Sequence, residues 1–263
     1  MADITRIEAL GAAVREHDGA PPFNDQALIE ARRGERDVVE TEGGIAVMSE
    51  TEVELAVWPE RRGKGFGREL ASLVADRFEG RAWSAWAHGD HPAAARLAEE
   101  FGLRRTRELL QLRAGIPADA AVPDAVRTFS DDDEDAWLRV NAAAFANHPE
   151  QGSLTAGDLA DRRGSDWHSD SNLLLHETHG ELDAFTWLKP QEEGVVELYA
   201  IGVWPTAQGR GLGRVMMDAT FGRMRELGAD TAHLYVEGDN RPALELYKRF
   251  GFERWAIDVQ YSV

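Results

Sequence analysis

The chain has 263 residues, of which 43% are hydrophobic and 29% are charged, and its formal net charge is −18. This length fits two domains of ordinary size, and the composition is typical of globular proteins. The negative charge argues against a nucleic-acid-binding surface, which needs clustered lysines and arginines. No apolar run approaches the ~20 residues of a membrane span. With no cysteine, disulfides and thiolate sites are excluded, and we expect a cytoplasmic protein.

Hydrophobic periodicity and turn residues predict strands and helices in the same order in both halves of the chain. In the first half we predict strands at 38–41, 45–48 and 53–58, a helix at 68–78, a strand at 82–87, a helix at 92–101 and a strand at 104–112. Residues 115–125 contain two prolines and form the predicted linker. In the second half we predict helices at 131–145 and 156–163, strands at 172–177, 182–188 and 195–204, a helix at 214–227, a strand at 231–237, a helix at 241–250 and a strand at 252–261.

The densest acidic run, residues 131–135, follows Ser130 and precedes an apolar periodic stretch. A serine at this position predicts a helix N-cap, and the acids then lie near the positive end of the helix dipole. This interpretation is preferred over a metal site. His148 lies in the sequence without further metal ligands of the usual spacing, and one histidine alone makes no metal site. We therefore predict no metal.

One twelve-residue motif occurs twice. Residues 57–68 read VWPERRGKGFGR and residues 203–214 read VWPTAQGRGLGR, with seven identical positions at an offset of 146. Farther along, Gly-Asp at 89–90 and 238–239 and Phe-Gly at 101–102 and 250–251 repeat at an offset of 149. The sequence therefore predicts an α/β fold with a mixed sheet in two tandem copies, at 1–114 and 126–263.

The repeated motif is a glycine-rich turn between a strand and a helix. Glycines such as Gly211 and Gly213 let the backbone approach an anion, and the N–H groups that open a helix bind phosphate. Arg210 and Arg214 add positive charge. Tight packing alone is the alternative, but the duplication favours a ligand. The dinucleotide and Walker patterns of other nucleotide sites are absent.

These residues resemble the coenzyme A loop of the GNAT acetyltransferase superfamily, whose signature is Gln/Arg-x-x-Gly-x-Gly/Ala. The resemblance implies two GNAT-like domains and acetyl-CoA as cosubstrate. It implies cofactor contacts in the second copy from Ile201, Gly202, Val203, Gln208, Gly209, Arg210, Gly211, Leu212, Gly213, Arg214 and Asn240. In the first copy the corresponding set is Leu55, Ala56, Val57, Arg62, Gly63, Lys64, Gly65, Phe66 and Gly67.

Several stretches resemble one family of tandem GNAT enzymes, the mycothiol synthases. They are VNAAAFANHPEQG (140–152), FTWLK (185–189), ELYAIGV (197–203), LYVEGDN (234–240) and LYKRFGF (246–252), with AWAHGDHPAA (85–94) and RELLQLR (107–113) in the first half. The resemblance implies transfer of acetyl to the cysteinyl amine of a cysteine–glucosamine–inositol pseudodisaccharide, which yields mycothiol. The chain departs from the family pattern in its short first half and in the short turn after Lys189. We expect a monomer with a small-molecule substrate and no nucleic-acid or membrane partner.

Acyl transfer to an amine needs a base for the amine proton and an acid for the departing thiolate. The family pattern places the base at Glu197 and the acid at Tyr247. A solvent-facing strand carboxylate and a packing aromatic are the respective structural alternatives. By the same resemblance the substrate contacts are Asp25, Glu150, Lys189, Glu197 and Tyr235.

The repeat separates the two copies in function. At an offset of 149, Tyr247 corresponds to Ala98 and Asn240 to His91, and at 146, Glu197 corresponds to Thr51. The first copy is therefore predicted to be non-catalytic. Two alternatives remain open for the whole chain: a GNAT enzyme that acts on another amine, such as an aminoglycoside, a polyamine or a peptide N-terminus, and a non-catalytic acyl-CoA sensor.

Overall fold

A computed structural model describes residues 4–78, 80–146, 151–191 and 194–263. The fold is a mixed α/β fold, as predicted. Its elements in chain order are α1 (Ile4–Asp18), α2 (Asp25–Arg33), β1 (Asp37–Glu40), β2 (Gly44–Met48), β3 (Glu52–Val57), α3 (Phe66–Phe78), β4 (Ser84–His88), α4 (Pro92–Glu100), β5 (Arg104–Gly115), β6 (Val126–Thr128), α5 (Glu134–Ala144), α6 (Ala156–Arg163), β7 (Leu173–Thr178), β8 (Glu181–Pro190), β9 (Val195–Val203), α7 (Leu212–Glu226), β10 (Thr231–Glu237), α8 (Arg241–Arg249) and β11 (Glu253–Ser262).

The chain divides into two compact units. The first unit comprises Met1–Leu110, Glu237–Asp239 and Trp255–Val263, and the second comprises Gln111–Val236 and Asn240–Arg254. Most of β11, the last strand of the chain, thus belongs to the first unit. The domain boundaries predicted from the sequence stay a prediction.

In the first unit the strands follow the order β1, β2, β3, β4, β11. All neighbours are antiparallel except β3 and β4, which are parallel. Buried Ile7, Leu10 and Val14 lie on one face of α1 and pack in the same cluster as β2. The Asn24 side chain accepts a hydrogen bond from the Ala27 amide at 2.7 Å and so caps α2.

In the second unit the strands follow the order β10, β9, β8, β7, β6, and only β9 and β10 are parallel. Successive side chains of β8 point to opposite faces. Phe185 and Trp187 pack against Trp137 of α5, with ring centroids 5.2 and 5.4 Å apart. On the other face Ala184 packs against Met216 of α7. The sheet of the second unit is therefore packed against helices on both faces.

The predicted cap at Ser130 is confirmed, but it caps a 3-10 turn at Asp131–Asp133, and α5 begins three residues later than predicted, at Glu134. The Ser130 side chain accepts from the Asp133 backbone, and Asp133 in turn accepts from the Ser130 amide and hydroxyl, both at 2.8 Å. Asp133 also accepts two hydrogen bonds from Arg127. The hydrogen bonds from Arg127 are the largest cause of the lowered pKa of Asp133, about 2. The acidic run therefore serves the start of α5.

A β-bulge interrupts the pairing of β8 with β9. Trp187 opposes Ala200 and Leu188 opposes Leu198, so Tyr199 is the extra residue. On its other side, β9 pairs with β10 from Val195–Glu197 to Thr231–His233, and it then continues to Val203. A bulge bends its strand and increases the local twist, which explains a parallel ladder that stops at Glu197.

A buried ion cluster joins three strands of the first unit. The Nδ1 atom of His88 in β4 lies 2.8 Å from Asp258 Oδ1 of β11, and its Nε2 atom lies 3.4 Å from Glu54 Oε1 of β3. Both carboxylates are at most 5% exposed. Burial alone lowers the pKa of His88, but the two carboxylates outweigh it and raise the pKa to about 9. At neutral pH this imidazole is therefore protonated.

Because the folded-state pKa of His88 lies above its unfolded value of 6.5, the folded state binds the proton more tightly. The resulting stabilisation is complete below pH ~6.5 and is lost as the pH rises through about 9, and it amounts to on the order of 3 kcal/mol. We expect His88→Gln to lower the free energy of unfolding most at pH 6, with the deficit shrinking by pH 10. Urea denaturation across that range measures it. A deficit that stays constant with pH would contradict the assignment.

Candidate active site

Glu197 lies at the point where the second unit's parallel ladder ends. Its Cα partners are Lys189 on β8 and His233 on β10, and only 7% of the residue is exposed. The Gln191 side chain donates a hydrogen bond from Nε2 to Glu197 Oε2 at 2.5 Å. A nearly buried carboxylate thus lies beside a cation and an amide donor.

Burial is the largest influence on this carboxyl group and raises its pKa. The positive charge of Lys189 and the hydrogen bond from Gln191 act in the opposite direction, and the net result is a raised pKa. A carboxylate becomes a stronger base as its pKa approaches the working pH. The environment of Glu197 therefore suits proton abstraction better than that of an exposed glutamate.

His233 is the nearest titratable group on β10. It is 2% exposed, and burial, together with the positive charge of Arg113, lowers its pKa to about 4. The imidazole is therefore neutral at pH 7. Its Nδ1 atom lies 3.4 Å from Gln191 Oε1, so the Gln191 amide bridges His233 and Glu197. The sequence alone did not single out Gln191, His233 or Arg113.

Two aromatic rings hold Lys189. Its Nζ atom lies 5.6 Å from the ring centroid of Trp167 and 6.0 Å from that of Tyr199, within the range of cation–π attraction. Arg162 donates a hydrogen bond from Nε to the Tyr199 hydroxyl at 3.1 Å. The ammonium is thus a fixed charge next to Glu197, not a freely rotating strand-end lysine.

The glycine-rich loop of the second copy opens α7, which begins at Leu212, two residues before the predicted start. Gly211 is the N-cap and has a φ of 90°, a left-handed conformation that favours glycine. The first N–H groups of a helix have no partner within the helix. Arg210 and Arg214 are both exposed. The Gln208 side chain donates to the Val203 carbonyl at 3.2 Å and ties the loop to the end of β9.

Tyr247 lies on α8, and it is 6% exposed. Burial raises the pKa of its hydroxyl above the usual value of 10.0, so the phenol keeps its proton at neutral pH. Its ring centroid lies 5.7 Å from that of Phe252. Asn240 caps α8 by accepting from the Ala243 amide at 3.3 Å.

The remaining predicted substrate contacts fall in different places. Tyr235 is 42% exposed, with its ring 4.9 Å from that of His233. Asp25 is the first residue of α2 in the first unit, and its side chain lies outside the described part. Glu150 and His148 lie outside the described residues. Of the five, Lys189, Glu197 and Tyr235 thus lie on neighbouring strands of one unit.

The strand register revises one correspondence between the copies. Glu52 opposes Ser84 on β4, and Ser84 corresponds to His233 at the offset of 149. The counterpart of Glu197 is therefore Glu52, at an offset of 145, and the expectation of Thr51 is wrong by one residue. The bulge at Tyr199 accounts for the extra residue. Glu52 Oε1 accepts from Trp86 Nε1 at 3.3 Å and from Gln260 Nε2 at 3.1 Å.

The first unit also contains a cavity of about 320 Å³. Ala98, the counterpart of Tyr247, lines it, so no hydroxyl is supplied from that position. Six residues of the predicted cofactor set of the first copy line this cavity: Leu55, Ala56, Val57, Arg62, Gly63 and Gly67. Arg62 donates two hydrogen bonds to Asp18, each 2.7 Å long. Lys64 donates to the Glu60 carbonyl at 3.0 Å.

Within the described residues, no group of three or more His, Cys, Asp or Glu side chains is arranged to hold a metal ion. Among the helices of that same part of the chain, none combines the length and the apolar character of a membrane span.

Comparison with known proteins identifies similar acetyltransferases. The model of the "Acetyltransferase (GNAT) family" matches residues 131–252. A mycothiol acetyltransferase of Thermomonospora curvata is 40% identical over 277 residues, which cover 98% of this chain and 93% of that protein. A mycothiol acetyltransferase of Clavibacter michiganensis subsp. michiganensis is 43% identical over 282 residues, covering 98% and 91%.

Solved structures agree on the fold. A GCN5-related N-acetyltransferase from Sphaerobacter thermophilus has a TM-score of 0.73 at 20% identity, covering 99% of this chain and 92% of that one. A tandem GNAT protein from the clavulanic acid biosynthesis pathway has a TM-score of 0.67 at 17% identity, covering 99% and 94%. Given the identity to curated relatives over nearly its whole length, the chain belongs to the mycothiol acetyltransferase family and is a GNAT-type acetyltransferase.

Proposed function

We propose that this enzyme transfers the acetyl group of acetyl-CoA to the cysteinyl amine of a cysteine–glucosamine–inositol pseudodisaccharide, and that the second copy carries the chemistry. The observation that carries the proposal is Glu197. It is a nearly buried carboxylate beside Lys189, on the strand that leads directly into the glycine-rich loop.

The residues of the second copy fit acetyl-CoA, which supplies an activated acetyl thioester when bound. The first turn of α7, opened by Gly211, presents backbone N–H groups and the positive end of a helix dipole to the diphosphate. Arg210 and Arg214 add charge from the surface. Ile201–Val203 lies beyond the ladder between β9 and β10 and is assigned to hydrogen bonds with the pantetheine arm.

Glu197 acts as the general base. A free α-amino group has a pKa of about 7.7–8.0, so much of it is protonated at neutral pH. Glu197 accepts the proton, directly or through one water, and leaves the nitrogen lone pair free to attack the thioester carbonyl. Between turnovers Lys189 favours the ionised form of the Glu197 carboxyl group, because its ammonium is a nearby positive charge.

Tyr247 acts as the general acid. Its buried phenol is protonated at neutral pH and donates its proton to the sulfur of the departing CoA thiolate as the tetrahedral intermediate breaks down. Ala98 in the corresponding position of the first copy has no such group. No catalysis is therefore assigned to the first copy, and its cavity, lined by residues of the predicted cofactor set, is assigned to cofactor binding alone.

For the acceptor, the proposed contacts are the five predicted residues. Lys189 and Tyr235 are polar groups on strands that flank Glu197, and Glu150 and Asp25 supply carboxylates to a polyhydroxylated, cationic substrate. We further propose that the enzyme is a monomer. Native mass spectrometry with acetyl-CoA measures both the oligomeric state and the number of cofactors per chain, with one chain and two cofactors expected.

The substrate assignment is tested by measuring acetyl transfer to the cysteinyl pseudodisaccharide beside a panel of aminoglycosides, polyamines and peptide N-termini. We expect the highest kcat/KM for the pseudodisaccharide. A higher kcat/KM for another amine overturns the substrate assignment while keeping the reaction. Binding of CoA without turnover of any amine indicates a sensor.

The role of the loop gives a separate prediction. In Gly211→Ala an added Cβ meets no atom within 4 Å, but the left-handed φ is strained, at a cost of about 1 kcal/mol. Because the N-cap distorts, we expect the KM for acetyl-CoA to rise about tenfold, equivalent to ~1.4 kcal/mol, as measured by initial rates.

Gly228→Ala is the matched control, since Gly228 follows the other end of α7 with a φ of 77° and equally open surroundings. It should lose similar stability in thermal unfolding and leave the KM unchanged. An equal rise of KM in both variants would show that general strain, not the anion site, sets cofactor affinity.

A further inference from the structure

The turn between β8 and β9 places one amide between two buried side chains. Gln191 donates from Nε2 to Glu197 Oε2 at 2.5 Å, and its Oε1 atom lies 3.4 Å from His233 Nδ1. The backbone amide of Gln191 donates to the Val195 carbonyl at 3.1 Å, which closes the turn. The side chain thus starts from a fixed backbone and reaches across β9 to β10.

The two partners of Gln191, the Glu197 carboxylate and the His233 imidazole, together determine which way this amide faces. An amide has a donor side and an acceptor side, and its orientation follows from the partners it meets. A neutral imidazole carries one N–H, and with that hydrogen on Nδ1 it donates to Gln191 Oε1. The NH2 group of Gln191 then faces Glu197. In the flipped orientation the amide oxygen would face a carboxylate oxygen, which is repulsive.

The charged and titratable groups around Glu197 come from three elements. Lys189 lies opposite on β8, and neutral His233 lies opposite on β10. Arg113 on β5 acts on His233. Burial raises the pKa of Glu197, and Lys189 and Gln191 lower it. Gln191 is the group in this set that touches the carboxylate through a hydrogen bond.

We propose that Gln191 is a positioning residue for acetyl transfer: held by His233, its amide fixes the Glu197 carboxylate in one orientation and favours its ionised form. This inference rests on the proposed role of Glu197 as the base. A hydrogen bond donated to the charged form of a carboxyl group lowers its pKa. Loss of the donor therefore leaves a base that remains protonated to higher pH and that rotates more freely.

The first unit supplies an internal comparison. There Gln260 of β11 donates from Nε2 to Glu52 Oε1 at 3.1 Å, so a glutamine amide also contacts the counterpart of Glu197. The two glutamines come from different elements, one from a hairpin turn and one from β11, which is separated from the strand of Glu52 by β4. Gln260→Ala is thus a chemically matched substitution in the copy to which no catalysis is assigned.

The test compares kcat as a function of pH, with both substrates saturating, for the wild type, Gln191→Ala, Gln191→Glu and Gln260→Ala. The pH dependence of kcat reports ionisations in the enzyme–substrate complex. We expect the acidic limb to move up by about one pH unit in Gln191→Ala. At pH values below the limb, kcat of this variant should then be about tenfold lower than that of the wild type. Gln191→Glu, which has the same shape but no donor and an added charge, should move the limb farther.

Gln260→Ala should leave the limb where the wild type has it. An acidic limb that stays in place in both Gln191 variants overturns the inference, even if kcat falls at every pH, because a merely structural role predicts a uniform loss. Glu197→Gln, measured in parallel, separates the two hypotheses. If it abolishes turnover while the Gln191 variants keep the wild-type limb, only the role of Gln191 fails. If it retains turnover and the limb, the base assignment fails and the role of Gln191 fails with it.

Discussion

Replacing Glu197 with glutamine should lower kcat by about 10³-fold, within the 10²–10⁴ that general acid–base catalysis typically contributes. Glutamine keeps the size of the side chain and can still accept the hydrogen bond from Gln191 through its amide oxygen, but it cannot accept the amine proton. Because glutamine has the same size and β9 is paired on both sides, the fold should be retained. Turnover is measured as release of the CoA thiol, and folding as the midpoint of thermal unfolding.

The pH dependence of Glu197→Gln adds a second readout. With the base removed, the remaining acidic limb should be that of the substrate amine, near its own pKa of about 7.7–8.0. Glu177→Gln is the control, because Glu177 is a carboxylate of the same sheet that pairs with Arg127. It should change kcat less than twofold. Retention of a third or more of the turnover in Glu197→Gln would exclude it as the base.

The family and the mixed α/β fold could be predicted from the sequence because the determinants are local and occur twice. The motif ending at Gly67 and Arg68 recurs at Gly213 and Arg214 in the same order relative to strands and helices. Each motif marks a strand, a tight turn and a helix start, which depend on residues close in sequence. The helices α1 and α2 were not predicted, although Ile7, Leu10 and Val14 recur at helical spacing and are buried.

The register of β9 could not be read from the sequence. A bulge adds one residue to a strand without any required residue type, and Tyr199 in the bulge looks like an ordinary strand aromatic. The offset of 146 therefore aligned Glu197 with Thr51, whereas the strand pairing aligns it with Glu52. The pairing of β11 with β4 could not be predicted from the sequence either, because it joins residues about 170 positions apart.

The surroundings of Glu197 depend on contacts across three strands. Gln191 looks like a polar turn residue, and His233 looks like a core histidine on an apolar strand. Only the register that places Glu197 between Lys189 and His233 shows that the amide reaches the carboxylate. Motif resemblance thus predicts which residue carries a role, while the groups that set its pKa emerge from the fold.

Tyr247→Phe should lower kcat about 10²-fold and leave the KM for both substrates within threefold, because only the proton donated to the leaving thiolate is lost. Phenylalanine fills the same space beside Phe252 and removes a hydroxyl from a site that is 6% exposed, so the protein should not lose stability. Steady-state kinetics and thermal unfolding measure the two effects.

Phe252→Leu separates the hydroxyl of Tyr247 from its packing. It removes the ring that lies 5.7 Å from both Tyr247 and Phe221 and keeps the phenol, so it should cost about 2 kcal/mol of stability, as each aromatic pair typically contributes 0.5–1.5 kcal/mol. Its kcat should fall less than threefold. If Phe252→Leu lowers kcat as much as Tyr247→Phe does, the rate depends on the position of α8 and not on the hydroxyl. A proton donor is supported only when kcat follows the hydroxyl and stability follows the ring, because a single role cannot produce both patterns.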